Sequence, residues 1–291
     1  GGRGAEEGVE ESAGGAERGS LLVLGGNGFV GGAVCRAGLR HELSVASASR
    51  SGAPPHSEPW VERVRWHAAD ALVRGELEPL LPRGPGSAVV SCVGAFGSNA
   101  TMERLCGDAT AEAAAAAAAA GTERFVFVSA HDFRFPEAIV RNFGYLNGKR
   151  RAEEAVRQHF PDGKGIIVRP GAVYGSRKVY RGTGPGGTEG GHFEVPLHLL
   201  FRPLARAGAV TQAWRTARRA SPGGLLGVGA LEPLGELALT APVSVRALGD
   251  ACVAAAKGDL DAELSTGWPV VDEIRLAEFD AACEYGTAPD E

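Results

Sequence analysis

The sequence has little that would mark a disulfide-stapled, metal-binding or membrane-spanning chain. It holds 5 cysteines in 291 residues: Cys35, Cys92, Cys106, Cys252 and Cys283. The count is odd and no two are close in sequence. No CxxC pair and no Cys/His cluster has zinc spacing, so neither a disulfide framework nor a structural metal site is supported. A reducing compartment is the simplest reading, with the cysteines as small buried apolar residues. The 7 histidines are scattered, with no HExxH or HxH among them, so no metal is expected. No uninterrupted apolar run reaches the ~18 residues needed to span a bilayer, so no transmembrane segment is expected. Peripheral membrane attachment stays open. Positive charge is also short: the net charge is −5, which argues against a nucleic-acid-binding domain with a dominant basic surface.

Glycine is what the chain has in excess. Its 43 residues are about 15% of the total, against a typical ~7%. There is no collagen-like period, so the glycines serve turns, close backbone approaches and linkers.

Residues 1–19 lack hydrophobic periodicity, carry five Glu and two Arg, and read as a disordered, solvated leader. From Leu21 strand and helix signals alternate. Leu21–Leu24, Leu43–Ser49, Val64–Ala68, Ala88–Val93, Phe125–Val128 and Gly165–Val168 read as strands. Phe29–Leu39, the alanine run Ala109–Ala120 and Tyr145–His159 read as helices. This alternation calls for an α/β fold, a Rossmann-like doubly wound parallel sheet with a small C-terminal substrate or partner lobe. The expected organisation is a dinucleotide-binding core over residues 20–175 and a lobe with returning Rossmann elements over 176–257. An acidic tail, 258–291, follows. Arg177–Arg219 carries eight Arg/Lys and two Glu, whereas the tail carries ten Asp/Glu and one Arg. Both read as solvated surface, or more sharply as an anion-facing or partner-facing lobe. Trp214 with Arg215, Arg218 and Arg219 reads as a solvated helix face, or as a patch for a partner or an anionic membrane.

Gly25, Gly28 and Gly31 form a GxxGxxG pattern between the first strand and the first helix. The first glycine allows a tight turn, the second lets a pyrophosphate approach the backbone, and the third lets helix and strand pack closely. The helix then offers the free N–H groups of its first turn, Phe29 and Val30 included, to the phosphates. Placed here, the pattern points to a dinucleotide. An NAD-preferring site usually carries Asp or Glu at the end of the second strand, about 20 residues on. That strand ends instead in Ser49-Arg50-Ser51. Arg50 could make charge-assisted contacts to a 2′-phosphate, so NADP(H) is expected over NAD(H). Asp70 closes the third strand, where it could reach the adenine edge. Cys92, Val93 and Gly94 end the fourth, where small residues leave room for the cofactor. Each of these four could equally be a turn or packing residue.

Tyr145 and Lys149 stand four apart at the start of a helical stretch, on one face. Ser129 ends the strand before them. This set can move a proton to or from a carbonyl or alcohol oxygen. A nearby ammonium should lower the tyrosine pKa from its usual value near 10. Lys149 could also hold the nicotinamide ribose, and Ser129 could hydrogen-bond the substrate oxygen. Ser129 has no GxSxG frame, so a hydrolase triad is not supported.

The segments LLVLGGNGFVGG, SVASASRSG, VVSCVGAFGSN, RFVFVSAHDF, GYLNGKRRAE, VRPGAVYGSR and APVSVRALGDA together resemble the short-chain dehydrogenase/reductase superfamily, in its extended or atypical branch. The resemblance runs from Leu21 to about Lys257. It is closest to plant and algal plastid-targeted, plastoglobule-associated NAD(P)-binding proteins. It extends to the mitochondrial atypical reductase linked to coenzyme Q synthesis and to the Rossmann subunit of respiratory complex I. The resemblance implies Ser129, Tyr145 and Lys149 in catalytic positions, Gly25, Gly28 and Gly31 at the pyrophosphate, and Arg169-Pro170-Gly171 beside the nicotinamide. It implies a plastid location, with the mitochondrion as the alternative. Two departures stand out. The fourth-strand motif is Ser91-Cys92-Val93-Gly94 rather than Asn-Ala-Gly, and 182–191 and 211–231 look like insertions.

Two functions compete. One is an NADPH-dependent oxidoreductase acting on a carbonyl or quinone-like small molecule, with Tyr145 as proton donor. The other is a structural or assembly subunit of an organellar membrane protein complex, in which the nucleotide only stabilises the fold. The intact Ser/Tyr/Lys set favours the first, and the basic middle, acidic tail and insertions favour the second.

Overall fold

A computed structural model describes residues 19–54, 58–131, 137–180, 192–196, 240, 242–262, 264, 270–272 and 275–280. The leader up to residue 18, both proposed insertions, the Trp214 patch and Cys283 lie outside the described residues.

The first half of the chain follows strand–helix alternation. Strand β1 (Ser20–Leu24) leads into helix α1 (Phe29–Arg40), then β2 (Ser44–Ser49), β3 (Arg65–Ala68), a short α2 (Arg74–Leu77) and β4 (Gly84–Ser91). Helix α3 (Asn99–Glu103) runs through a π-helical turn, Arg104–Asp108, into α4 (Ala109–Ala120). Strand β5 (Thr122–Val128), α5 (Glu137–Asn142), α6 (Gly144–His159) and β6 (Gly165–Val168) complete this half. Strands β7 (Val173–Tyr174), β8 (Ser176–Tyr180), β9 (His192–Pro196) and β10 (Val243–Ser244) follow. Helix α7 (Val245–Lys257) and β11 (Val270–Val271) end the series.

Seven strands form one parallel sheet in the order β11-β6-β5-β4-β1-β2-β3. The order reverses direction at β1 and β4, so the crevice at their carboxyl ends is the topological switch point of a Rossmann-like α/β fold. Strands buried on both faces read as continuous apolar runs rather than alternating ones. Leu21 and Val23 of β1 join α1 and α7 on one face, packing with Val34, Ala37, Ala247 and Leu248. Leu22 and Leu24 join α4 and α6 on the other, with Ala113, Ala117, Ala152 and Val156. Phe125 and Phe127 are fully buried there, each contributing roughly 1.5–3 kcal/mol by leaving water.

The alanine run forms a helix as its composition requires, and its small side chains let α4 lie close to the sheet. The π-helical turn before it meets α6 at backbone distance: a Cβ on Gly107 would come 3.0 Å from Gly148 Cα. This contact fixes how deeply α6, with Tyr145 and Lys149, sits over the sheet.

The acidic stretch from Gly258 is not simply solvated surface. Leu260, Val271 and Leu276 are buried, and Val270–Val271 pairs with β6 as the edge strand. A two-residue strand between Pro269 and Asp272 carries too little periodicity to be seen in sequence. The strand expected over Ala88–Val93 ends at Ser91, so Cys92, Val93 and Gly94 belong to the loop over the switch point. Among the described residues no helix is long and apolar enough to cross a membrane.

Candidate functional site

The glycine loop lies at the end of β1. Gly25 has φ +82°, a conformation that side-chain-bearing residues rarely adopt, and its N–H donates to the Ala48 carbonyl of β2 at 2.8 Å. A Cβ on Gly31 would overlap the Gly25 carbonyl oxygen and come 2.8 Å from Gly26 Cα, so this glycine lets the helix press on the loop. A Cβ on Gly28 would meet only the Gly25 oxygen at 3.2 Å. Gly28 is exposed and caps α1 without a side chain, and no acid occupies the first turn. The N–H groups of Phe29, Val30 and Gly31 belong to that first turn, where a helix has no acceptors of its own. A cradle without side chains at the positive end of a helix fits a pyrophosphate.

At the end of β2, Ser49 is half-buried and Arg50 exposed. The Asn27 side chain donates to Ser51 Oγ at 3.1 Å, and Ser49 Oγ lies 3.5 Å from Ser51 Oγ. The glycine loop and the β2 loop thus share one polar rim, in which Asn27 is a member that sequence reasoning missed. Asp70 serves its own turn: its Oδ1 accepts from the Leu72 N–H at 3.0 Å, and its N–H donates to Glu76 Oε2 at 2.8 Å. The Cys92 N–H donates to the Leu24 carbonyl at 3.0 Å, so the β1–β4 pairing runs one residue past the strand. Gly94 is exposed, and a Cβ there would lie 3.6 Å from both Lys149 Nζ and Cys106 Sγ. Cys106 pins the loop by donating to the Ala95 carbonyl at 3.3 Å. Cys35 and Cys252 are buried, and burial pushes both thiols well above their usual range.

Lys149 is buried. Its ammonium donates to Val128 O at 2.7 Å and to Val93 O at 3.4 Å, bridging the ends of β5 and β4. Burial pulls its pKa down to about 8, partly offset by Cys106, Cys92 and Glu153. Tyr145 stands one turn earlier, its ring stacked on Phe96 at 5.0 Å between centroids and tilted to Phe143 at 6.0 Å. The ammonium lies 5.9 Å from the Tyr145 ring centre. The expected lowering of the tyrosine pKa does not occur. Burial between aromatic rings outweighs any nearby cation, and the phenol is pushed up to about 12.

Ser129 is buried just past β5. Its hydroxyl donates to Glu153 Oε1 at 2.6 Å, and its N–H donates to Val168 O at 2.7 Å. Pro170 is also buried, and its carbonyl accepts from the His131 N–H at 2.9 Å. The structure therefore gathers Ser129, Tyr145, Lys149, Val93, Gly94 and Pro170 at the carboxyl ends of β4, β5 and β6, with the glycine loop next to β4. Arg50 and Asp70 lie toward the β2–β3 end. Glu153 is a second member that sequence reasoning missed; the signal available was an acid four residues after Lys149, on the same helix face.

The chain matches a family described as NAD(P)H-binding over residues 25–198. It is 35% identical over 239 residues to an uncharacterized chloroplastic protein of Arabidopsis thaliana, covering 82% of this chain and 72% of that one. Over 66 residues it is 44% identical to MIOREX complex component 2 of Saccharomyces cerevisiae, 21% of this chain and 24% of that protein. A crystal structure of UDP-galactose 4-epimerase matches with a TM-score of 0.52 at 13% identity. It covers 87% of this chain and 75% of that one, a likeness of fold.

Proposed function

Because the chain belongs to the NAD(P)H-binding family, we propose that it is an NADP(H)-dependent oxidoreductase of the short-chain dehydrogenase/reductase type, acting on a carbonyl or quinone-like carbon in the plastid. The observation that carries this reading is Lys149. Its ammonium sits between the ends of β4 and β5, one helical turn from Tyr145 and beside Ser129, at the switch point that the glycine loop also lines. The bound cofactor would supply a hydride.

The chain's own residues do the rest. The α1 N-terminus and the bare Gly28 hold the pyrophosphate. Arg50, with Ser49, Ser51 and Asn27, would hold the 2′-phosphate of NADP(H), at the end of a strand that carries no carboxylate. Lys149, still mostly charged at neutral pH, holds the nicotinamide ribose. Tyr145 keeps its proton far above neutral pH, so it is suited to donate that proton to a carbonyl oxygen rather than to act as a base. The chloroplastic relative supports the plastid; peripheral membrane association belongs to the same proposal.

The test combines NADPH and NADH titrations with NADPH oxidation by 9,10-phenanthrenequinone and decanal, comparing the unmodified protein with Tyr145→Phe. Turnover that Tyr145→Phe abolishes supports the reading. Turnover untouched by the substitution removes the proton-donor role.

A second reading, an assembly subunit with a bound nucleotide that does not turn over, draws on the polar groups of Ser129 and Lys149 being already engaged within the protein. The short match to a yeast complex component points the same way. Under that reading Gly28→Val lowers the level of the complex and Tyr145→Phe is silent.

A further inference from the structure

Four consecutive residues at the end of β5 are held by three side chains of α6. Lys149 Nζ donates to Val128 O at 2.7 Å, and Glu153 takes the Ser129 hydroxyl hydrogen at 2.6 Å. Arg150 Nη2 donates to Ala130 O at 2.9 Å and His131 O at 3.3 Å. Glu153 is the hub. It is 1% exposed, yet its carboxylate meets three guanidinium groups. Oε1 accepts from Arg169 Nε at 3.0 Å and pairs with Arg150, and Oε2 pairs with Arg169 Nη2 and lies 3.5 Å from Arg157. Arg169 belongs to the turn that carries Pro170, so the carboxylate also ties the ends of β5 and β6 together.

We propose that Glu153 is a positioning residue of the nicotinamide-side site: it holds the Ser129 hydroxyl hydrogen and so leaves the Ser129 oxygen to face the ligand as a hydrogen-bond acceptor. The inference rests on the oxidoreductase reading for the place of the nicotinamide. The chemistry follows from donor counts. A carboxylate so paired stays ionised and can only accept, and a serine hydroxyl has one hydrogen to give. The 2.6 Å separation is that of a charge-assisted O–H···O bond. The Ser129 N–H is already spent on Val168 O. Ser129 therefore reaches a ligand through lone pairs, toward an N–H or O–H group, and does not donate to a carbonyl oxygen while Glu153 holds its hydrogen. Tyr145 is left as the proton donor. This narrows the expectation that Ser129 hydrogen-bonds the substrate oxygen: it does so as an acceptor from an alcohol O–H, not as a donor to a carbonyl.

The experiment uses the purified full chain and NADPH as probe. Bound-state NADPH fluorescence, dissociation constant and thermal midpoint are measured for the unmodified protein, Ser129→Ala, Glu153→Asp, Glu153→Gln and Ser129→Ala combined with Glu153→Asp. Glu153→Asp keeps the negative charge among the arginines but shortens the side chain and draws the acceptor back from Ser129, so it remains informative if Glu153→Gln does not fold. The expected result is that Ser129→Ala and Glu153→Asp change the emission of bound NADPH by the same factor, and that the double variant changes it no further. Dissociation constants should stay within about threefold. The proposal is overturned if Glu153→Asp lowers the thermal midpoint but leaves the bound emission as in the unmodified protein. It is also overturned if the two single changes multiply in the double variant. Failure of the unmodified protein to bind NADPH overturns the oxidoreductase reading and this inference with it, and shows itself before any variant is made.

Discussion

The Lys149 ammonium donates to the Val128 carbonyl at 2.7 Å while lying 4.6 Å from the centre of the Phe127 ring. A cation in such a place has exchanged water for one strong carbonyl, one weaker one and an aromatic face. On the proposed reading its charge serves the cofactor, and burial makes it costly to keep there.

That tension is readable by pH. NADPH affinity should fall as pH rises through about 8, where the ammonium gives up its proton. Lys149→Met should weaken binding at pH 7 and flatten the profile. Fluorescence titrations between about pH 7 and pH 9.5 check this, and a flat profile in the unmodified protein counts against it. Stability responds with the opposite sign. The folded-state pKa is depressed from 10.5 to about 8, so the unfolded chain holds more protons between those values. The penalty that the buried Lys149 charge imposes on folding is therefore relieved as pH rises through that window.

Tyr145→Phe removes one hydroxyl and keeps the ring that stacks on Phe96. Turnover should fall by roughly 10²–10⁴, the usual effect of losing a general acid, with NADPH affinity nearly unchanged. Steady-state rates beside a binding titration separate the two quantities.

Arg50→Ala should narrow the preference for NADPH over NADH. Charge-assisted contacts to a phosphate contribute on the order of 1–3 kcal/mol, about 5- to 150-fold in the ratio of dissociation constants. Calorimetric titration with both nucleotides measures it. Equal affinities in the unmodified protein would remove Arg50 from the site.

Two glycines of the loop should part company. Gly31→Ala forces a methyl into the Gly25 carbonyl, so overpacking of roughly 1–3 kcal/mol should lower the thermal midpoint by several degrees. Gly28→Ala meets only the Gly25 oxygen, at 3.2 Å, so it should lower the midpoint less than Gly31→Ala does and weaken NADPH binding by roughly tenfold. Thermal melts with and without NADPH distinguish the two.

What could be read in the sequence was local. The glycine loop, the alanine helix and the buried strands announce themselves within a dozen residues, because turn chemistry, propensity and apolar runs act at that range. The Tyr145–Lys149 pair was visible for the same reason, since four residues make one turn. The direction of the Tyr145 shift was not. It depends on how far the folded chain buries the phenol, with Phe96, a loop residue 49 positions away, stacked on the ring. Glu153 was missed because its meaning comes from Ser129 and Arg169, on two different strand ends. Within α6 alone it is one more charge in a basic helix.

The π-helical turn Arg104–Asp108 sets the phase of the helix on either side of it. Upstream, the Asn99 side chain accepts from the Gly144 N–H at 3.1 Å, at the start of α6. Downstream, Ala113 and Ala117 keep their places against the sheet. A regular α-helix advances about 100° per residue, so the one residue a π turn absorbs corresponds to more than a quarter of a revolution. Regular α-helical winding of the same number of residues would rotate Asn99 by about 100°, away from Gly144. The start of α6 would lose its tether, although no atom of the proposed catalytic set had been touched. In this protein the aim of a tyrosine is written in the angular bookkeeping of a neighbouring helix, and winding at that turn is as constrained as identity elsewhere.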